Sequence, residues 1–219
     1  MTTDYELAFG VKEMYNLKKT GNGPFKIVLR EKTDYGVCVG IDETLDSVFF
    51  FFRGSVTLGD WARDAISFLP EEKNGTTFPL GFDQGMDESF DNLSYFLKKN
   101  KTVFIAGHSL GAAHAAIFHR LITQSGIAGV RRVVIRRVVL MGCPNLSLLP
   151  PGGPDKGLIS YKNGLDFVCD VPPVPWGPIV DHTIIDGGHD PFPSLFMYHH
   201  IDYYLAGIKK WEESQASKT

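Results

Sequence analysis

Apolar residues recur along the chain with two different periods, and the first to appear is helical. Residues 5–18 carry apolar side chains at three- and four-residue steps behind Thr3, a residue type that often caps helices, which predicts an amphipathic helix. Short apolar runs then predict strands at residues 25–29, 36–41 and 47–52. Because the last run contains four consecutive phenylalanines, we expect that strand to be buried on both faces.

The rest of the chain alternates between the same two patterns. Apolar runs predict strands at residues 103–106, 133–141 and 158–161, and helical spacing predicts helices over residues 86–97, 110–121 and from residue 201 onward. Residues 70–79 and 144–154 are expected to form loops. Alternating strands and helices predict an α/β layer fold with a mostly parallel sheet. Since the chain has no repeat and no linker, we expect residues 1–219 to form a single domain.

The composition suits such a domain and narrows the range of partners. Of the 219 residues, 43% are hydrophobic, which is enough for a sizeable buried core. A formal net charge of −3 gives no broad attraction to nucleic acid or to an anionic membrane. No apolar stretch approaches the roughly 18 residues that span a bilayer. We therefore expect neither a nucleic-acid partner nor a transmembrane segment, whereas the oligomeric state is not indicated.

Cysteine usage and the first residues bear on the cellular compartment. Cys38, Cys143 and Cys169 are odd in number and lie in or beside apolar runs, which predicts buried reduced thiols and no disulfide framework. No basic segment followed by an apolar segment precedes the first helix. These features favour a cytoplasmic location, with a secreted mature form as the alternative.

The segment with the clearest chemistry is Gly107-His108-Ser109-Leu110-Gly111. An apolar run precedes it and a helical pattern follows it, so Ser109 is expected at a sharp turn from strand to helix. Such a turn holds a serine hydroxyl clear of the backbone and beside a base, as nucleophilic catalysis requires. Glycines at 107 and 111 suit the turn because a Cβ atom there would collide with the strand or the helix. We therefore predict that Ser109 is a catalytic nucleophile.

A serine nucleophile needs a histidine base and a carboxylate that orients it. His108 must point away from its neighbour Ser109, and His114 and His119 ride on the helix behind the serine. Of the remaining histidines, the pair His199 and His200 is favoured because it precedes the last helix. The other two, His182 and His189, lie among aspartates whose spacing matches no familiar metal-ligand pattern, so an ordinary polar loop is expected there.

Five stretches of this chain, in the same order, resemble those of the fungal-type lipases, also called class-three lipases. They span residues 51–204 and are Phe52-Arg53-Gly54-Ser55 followed by Asp60-Trp61 and Asp64, Gly81-Phe82, Gly107-His108-Ser109-Leu110-Gly111, Asp166-Phe167-Val168, and His199 with Tyr204. The resemblance implies the α/β-hydrolase fold, with a mostly parallel central sheet and helices on both faces. One departure is that the family usually has Gly-x-Pro-Arg-x-Gly where this chain keeps only Gly142-Cys143-Pro144.

The resemblance implies a catalytic triad of Ser109, Asp166 and His199. Two competing alignments remain, because Asp170 precedes Val171-Pro172 and His200 adjoins His199. Asp166 and His199 are preferred.

The resemblance also implies an oxyanion hole and a lid. The backbone N–H groups of Ser55 and Leu110 would hold the developing negative charge, and donors at a strand end and a helix N-terminus suit that role. Residues 56–68 follow Ser55 and would form a helical lid whose apolar side carries Trp61, Ala65 and Phe68. The alternative for this segment is a fixed helix whose apolar side belongs to the core.

These roles predict a carboxylic ester hydrolase, foremost a lipase that cleaves acylglycerol esters through an acyl-enzyme. Its partner would be an ester or lipid substrate, or a lipid–water interface, and neither a cofactor nor a metal ion is expected. A short-chain esterase, a phospholipase and a thioesterase use the same chemistry and remain alternatives. From a different class, a hydrolase-like binding protein that has lost turnover is the alternative.

Overall fold

The computed structural model describes residues 2–16, 23–33, 36–55, 70–73, 76–83, 85–97, 102–124, 133–148, 157–191, 194 and 196–218. Within them the strands are β1 Val28–Lys32, β2 Cys38–Glu43, β3 Ser47–Phe52, β4 Pro70–Lys73, β5 Thr76–Pro79, β6 Thr102–His108, β7 Val134–Met141, β8 Ser147–Leu148, β9 Leu158–Asn163, β10 Trp176–Gly177 and β11 His182–Ile185. The helices are α1 Asp4–Tyr15, α2 Leu80–Asp83, α3 Met86–Leu97, α4 Leu110–Gln124 and α5 Ile201–Ala216, with a 3₁₀ turn at Phe167–Asp170.

Seven of these strands form one sheet in the order β1-β2-β3-β6-β7-β9-β11. The pairs from β3 to β11 are parallel, and only β1 and β2 join antiparallel at one edge. The register sets Phe52 at the end of β3 opposite Gly107 near the end of β6. Because parallel strands end at the same edge, the loops after β3, β6, β7 and β9 all leave the sheet on one side.

Helices cover both faces of the sheet, as the resemblance predicted. Helices α3 and α4 pack on one face in a core that includes Phe50 and Phe52, and α1 and α5 pack on the other in a core that includes Phe49 and Phe51. Since side chains alternate along a strand, the four phenylalanines divide equally between the two cores. The prediction that this strand is buried on both faces is confirmed.

Helix α1 is attached to the sheet at several points along its length. Thr3 and Glu6 form a capping box at its start. Asp4 is buried and accepts hydrogen bonds from the Arg137 guanidinium and from the Tyr161 hydroxyl. Further along, a Cβ atom on Gly10 would lie 2.3 Å from the Phe51 ring, so the helix contacts the sheet where it has no side chain. The end of α1 is therefore held in a defined position over the sheet.

Some local predictions were wrong. Residues 70–79, expected to be a loop, include the antiparallel pair β4 and β5. The first strand lies at Val28–Lys32, three residues later than the run at 25–29. The expected loop at 144–154 contains the short strand β8, which pairs with β10. In each case the strand is defined by hydrogen bonds to its partner strand, and the apolar periodicity of the segment does not indicate that pairing. Burial of the three free cysteines is confirmed.

Candidate active site

Ser109 occupies the turn between β6 and α4, as predicted. Its φ of 60° lies in the left-handed region that residues other than glycine rarely adopt. The strand and the helix meet closely on either side of it. A Cβ atom on Gly107 would lie 2.2 Å from the carbonyl oxygen of Gly111, and one on Gly111 would lie 2.3 Å from the carbonyl oxygen of Phe52. Both glycines are therefore required for the close approach that presents Ser109 at the sheet edge.

The loop after β3 runs beside this serine. A Cβ atom on Gly54 would lie 2.8 Å from Ser109 Cβ, so the two backbones are in direct contact. Ser55 follows and lines the same cavity as Ser109. On the other side, Leu110 is the first residue of α4, where backbone N–H groups have no partner within the helix. Both residues predicted for the oxyanion hole thus flank Ser109.

Asp166 and His199 form a buried pair on the loops that follow β9 and precede α5. The Nδ1 atom of His199 lies 2.6 Å from Oδ2 of Asp166. The Tyr204 hydroxyl donates to the same oxygen, and the Val168 backbone N–H donates to Oδ1 at 3.0 Å. Burial raises the pKa of Asp166, but the hydrogen bonds from His199, Tyr204 and Val168 outweigh it, and the net pKa is lowered. Asp166 is therefore an anion that fixes the orientation of the His199 ring.

The competing residues have other partners. Asp170 is at the end of the 3₁₀ turn that begins after Asp166, and its carboxylate binds Lys162 Nζ at 2.7 Å with 64% of its side chain exposed. His200 is exposed and caps α5, where its Nδ1 accepts from the Asp202 backbone N–H at 3.3 Å. Asp170 thus lies away from the cavity, whereas His200 lines the cavity but is engaged with the start of α5.

The remaining histidines are distributed over several elements. His114 and His119 are buried in α4, and burial lowers the pKa of His114 to about 3. His189 lies in a loop, as expected, with Nδ1 2.8 Å from the Asp190 carbonyl oxygen. His182 does not: it is in strand β11, where its Nδ1 lies 2.8 Å from Ser160 Oγ on β9. Among the described residues, no three His, Cys, Asp or Glu side chains are grouped to hold a metal ion.

A cavity of about 500 Å³ opens over Ser109 and His199. Besides Ser55 and His108, its lining includes residues from the end of α1, the loop before α5 and the start of α5, among them Lys12, Phe196 and Asp202. The Nε2 atom of His199 is buried and forms no hydrogen bond within the described part of the chain. This is the atom that would take a proton from a nucleophile, and such bonds are often long before substrate binds.

Two predictions concern parts of the chain that are not all described. The expected lid, with Trp61, Ala65 and Phe68, lies outside the described residues. In the described regions, no helix combines the length and apolar character needed to cross a membrane.

The mostly parallel sheet, the turn at Ser109 and the pairing of Asp166 with His199 agree with what the resemblance implied. Residues 49–147 match the family model described as lipase (class 3). The predicted resemblance to the class 3 lipases is confirmed over this segment. The matched segment includes Ser55, Ser109 and Leu110 but ends before Asp166 and His199. The prediction that this protein is a serine ester hydrolase is confirmed.

Solved structures of low sequence identity share the fold of this chain. A triacylglycerol lipase whose catalytic centre is formed by a serine-protease triad has a TM-score of 0.60 at 18% identity, over 77% of this chain and 72% of that one. Lip2 lipase from Yarrowia lipolytica has 0.60 at 16%, over 85% and 80%. The triacylglyceride lipase of Rhizomucor miehei has 0.56 at 17%, over 79% and 74%. The predicted α/β-hydrolase fold is confirmed.

One comparison found no match, and one prediction lacks support. No curated protein matches this chain. The cytoplasmic location that the sequence favours finds no support among these fungal lipases.

Sequence reasoning missed two polar residues that support the site. Asn163 is fully buried, and its side chain donates to the carbonyl oxygens of Gly188 and Tyr198 and accepts from the Gly187 N–H, which holds the loop before His199. Tyr15 was counted only as part of the apolar face of the first helix, yet its hydroxyl reaches His108. A polar residue at the end of a buried strand was the available signal for Asn163, whereas nothing in the local pattern indicates the contact of Tyr15.

Proposed function

We propose that this protein is a class 3 lipase that hydrolyses acylglycerol esters through an acyl-enzyme formed on Ser109, with His199 as the base and Asp166 as its orienting carboxylate. The observation that carries the proposal is the convergence of three elements on one cavity. Ser109 is on a strained turn, His199 faces the same cavity, and Asp166 fixes the ring from behind at 2.6 Å. We also propose that residues 1–219 form a single domain built on this sheet.

Each residue has a distinct part in the reaction. Ser109 Oγ bonds to the ester carbonyl carbon while its proton passes to Nε2 of His199. The C–O bond to the alcohol breaks, and the alcohol leaves with that proton. A water molecule then gives its proton to Nε2 and its oxygen to the acyl carbon, which releases the acid and restores the serine. Asp166 stays ionised throughout, since its pKa is lowered.

The negative charge that develops on the carbonyl oxygen needs donors already in place. Ser55 and Leu110 supply their backbone N–H groups, one from the loop after β3 and one from the start of α4. The N–H of Gly54 is engaged by the Tyr15 hydroxyl at 3.1 Å and is not free for this role. No cofactor is needed for any step.

The substrate class follows from the family and from the neighbouring structures. Two of those neighbours are named as lipases of triacylglycerol or triacylglyceride, which supports a glycerol ester as the substrate. A third is a fungal lipase studied for interfacial activation, with a TM-score of 0.57 at 16% identity, over 93% of this chain and 94% of that one. A lipid–water interface is therefore the proposed partner, and a secreted form would meet it.

The decisive test is Ser109→Ala, measured by ester hydrolysis and by labelling with a fluorophosphonate. The smaller side chain fits the turn, so the protein should fold while hydrolysis falls by roughly 10⁴ to 10⁶ and labelling disappears. Rapid labelling of the wild type also separates an enzyme from a hydrolase-like binding protein. Near wild-type hydrolysis by a folded Ser109→Ala protein would end the proposal.

Paired substitutions test the other two assignments. Asp166→Asn and His199→Ala should each lose most of the activity, because they remove the orienting anion and the base. Asp170→Asn and His200→Ala are matched controls on the same loops and should keep most of it, since Asp170 is exposed and binds Lys162 while His200, although it lines the cavity, caps α5. The opposite pattern would reassign the acid and the base while leaving Ser109 as the nucleophile.

A further inference from the structure

A chain of hydrogen bonds joins helix α1 to the two halves of the proposed site. The Tyr15 hydroxyl lies 3.1 Å from the Gly54 backbone nitrogen and 2.9 Å from Nδ1 of His108. The Nε2 atom of His108 lies 2.9 Å from the backbone carbonyl oxygen of His199. The chain therefore runs from the loop that carries Ser55, through the residue before the nucleophile, to the proposed base.

The direction of each bond follows from the available protons. A carbonyl oxygen only accepts, so Nε2 of His108 must carry the hydrogen that reaches His199. Burial, followed by the charge that His199 can carry, lowers the pKa of His108 to about 3, so the ring is neutral and its Nδ1 is an acceptor. The Tyr15 hydroxyl then donates to Nδ1 and accepts from Gly54 N–H. Burial also raises the pKa of Tyr15 well above its ordinary value, which keeps this donor protonated.

His108 also supports the ring of His199 directly. The two imidazoles stack with centroids 4.8 Å apart and planes 28° apart. When His199 takes up a proton, a neutral neighbour in this position adds no like charge, whereas a cation here would oppose the transfer.

Helix α1, which carries Tyr15, is anchored as well. Asp4 ties the start of α1 to Arg137 and Tyr161, and Lys12 near its end binds Asp202 of α5 at 2.6 Å. Tyr15 is thus carried by a helix that cannot easily move away from the site.

We infer that Tyr15 and His108 are positioning residues, which together hold the Gly54–Ser55 backbone and the His199 backbone in fixed positions on either side of Ser109. This inference rests on the proposed function. Both residues act through others: Tyr15 through the N–H of Gly54, and His108 through the carbonyl and ring of His199. A misplacement of about 1 Å in such parts can lower turnover on the order of 100-fold.

The test begins with Tyr15→Phe, which keeps the ring and removes only the hydroxyl, with Tyr5→Phe on the same helix as the matched control. Tyr15→Phe should lower kcat for a soluble ester by roughly 10- to 100-fold with little change in KM, and should slow fluorophosphonate labelling equally. Tyr5→Phe should leave both rates unchanged. A kcat equal to wild type in folded Tyr15→Phe would overturn the inference.

Amide substitutions at His108 separate the two halves of the chain. In His108→Asn the side-chain oxygen replaces Nδ1 and keeps the bond from Tyr15, and in His108→Gln the amide nitrogen replaces Nε2 and keeps the bond to His199. Both should retain more activity than His108→Leu, which keeps neither. Adding Tyr15→Phe to His108→Leu should cost less than Tyr15→Phe costs alone, because the chain is already broken.

The readouts distinguish this inference from the function on which it rests. If Ser109→Ala retains hydrolysis, the proposed function fails. If Ser109 is required but Leu, Asn and Gln at position 108 give the same kcat, only the positioning roles fail. Loss of thermal stability in these variants with unchanged kcat per folded molecule would likewise reject positioning in favour of a purely structural role.

Discussion

Replacing Tyr204 by phenylalanine tests how Asp166 is held. The Tyr204 hydroxyl is fully buried, donates to Oδ2 of Asp166 and accepts from the Asn163 backbone N–H at 3.2 Å. Tyr204→Phe leaves the ring in the core and removes both bonds. The carboxylate then keeps only the hydrogen bonds from His199 and Val168.

The expected cost follows from the groups that lose partners. A hydrogen bond to a charged group contributes about 1.5–3 kcal/mol, and a buried N–H without an acceptor costs about 1–3 kcal/mol. We therefore expect the free energy of unfolding at pH 7 to fall by about 3 kcal/mol. With a urea dependence of about 2 kcal/mol per molar, the unfolding midpoint should move down by roughly 1.5 M.

The pH dependence of this loss has a definite sign. The pKa of Asp166 is lowered in the folded protein, so its contribution to stability is complete above the unfolded-state value of about 3.9 and is lost as pH falls through the folded value. Without the Tyr204 bond the folded pKa rises. The difference between wild type and variant should be largest near pH 7 and should shrink as pH falls through the variant's pKa towards that of the wild type.

Urea unfolding across this pH range and an NMR titration of the Asp166 carboxyl carbon provide the measurements. Tyr203→Phe is the matched control, since its hydroxyl donates at 2.7 Å to Asp190 in a more exposed position and its loss should change the free energy of unfolding much less. Equal losses for the two variants at pH 7, or an unchanged pKa of Asp166, would refute the reasoning.

Two further predictions concern the approaches to Ser109. In Gly54→Ala the new Cβ would lie 2.7 Å from the His108 carbonyl oxygen and 2.8 Å from Ser109 Cβ, so the loop must shift. Turnover in single-turnover assays should then fall on the order of 100-fold. Wild-type rates in this variant would contradict the tight contact. If residues 56–68 form a lid, activity should jump as a sparingly soluble ester passes its solubility limit, and Trp61→Ser should blunt that jump. A smooth saturation curve would favour a fixed helix and an esterase.

Much of the fold could be predicted because its main elements carry strong local patterns. The turn at Ser109 combines an apolar strand, two glycines and an alanine-rich helix, all within residues 102–124, and each part is recognisable without knowledge of the rest. The phenylalanine run of β3 likewise reports burial on both faces directly. The antiparallel pair β4 and β5 was missed because Glu71, Glu72 and Lys73 give no apolar alternation, and only pairing with the partner strand makes them a strand.

The sequence limited the candidate acid and base for Ser109 to two pairs of residues close in sequence, and only the tertiary structure distinguishes the members of each pair. Asp166 and Asp170 lie one short turn apart, and His199 and His200 are adjacent, so spacing alone hardly distinguishes them. Once the 3₁₀ turn forms, one aspartate faces the buried Tyr204 and the other faces Lys162 in solvent.

The sequence by itself determined the position of the proposed nucleophile, its strand-to-helix turn and the class of fold, because these depend on residues within a few positions of one another. The tertiary structure alone brought Tyr15 to His108, 93 residues away, and set both against the backbone of His199. The local pattern at Tyr15 records only that an aromatic ring lies on the buried face of a helix. The direction of its hydroxyl depends on how α1 packs across the sheet. That packing is set by contacts between distant segments, such as those of Asp4 with Arg137 and of Gly10 with Phe51.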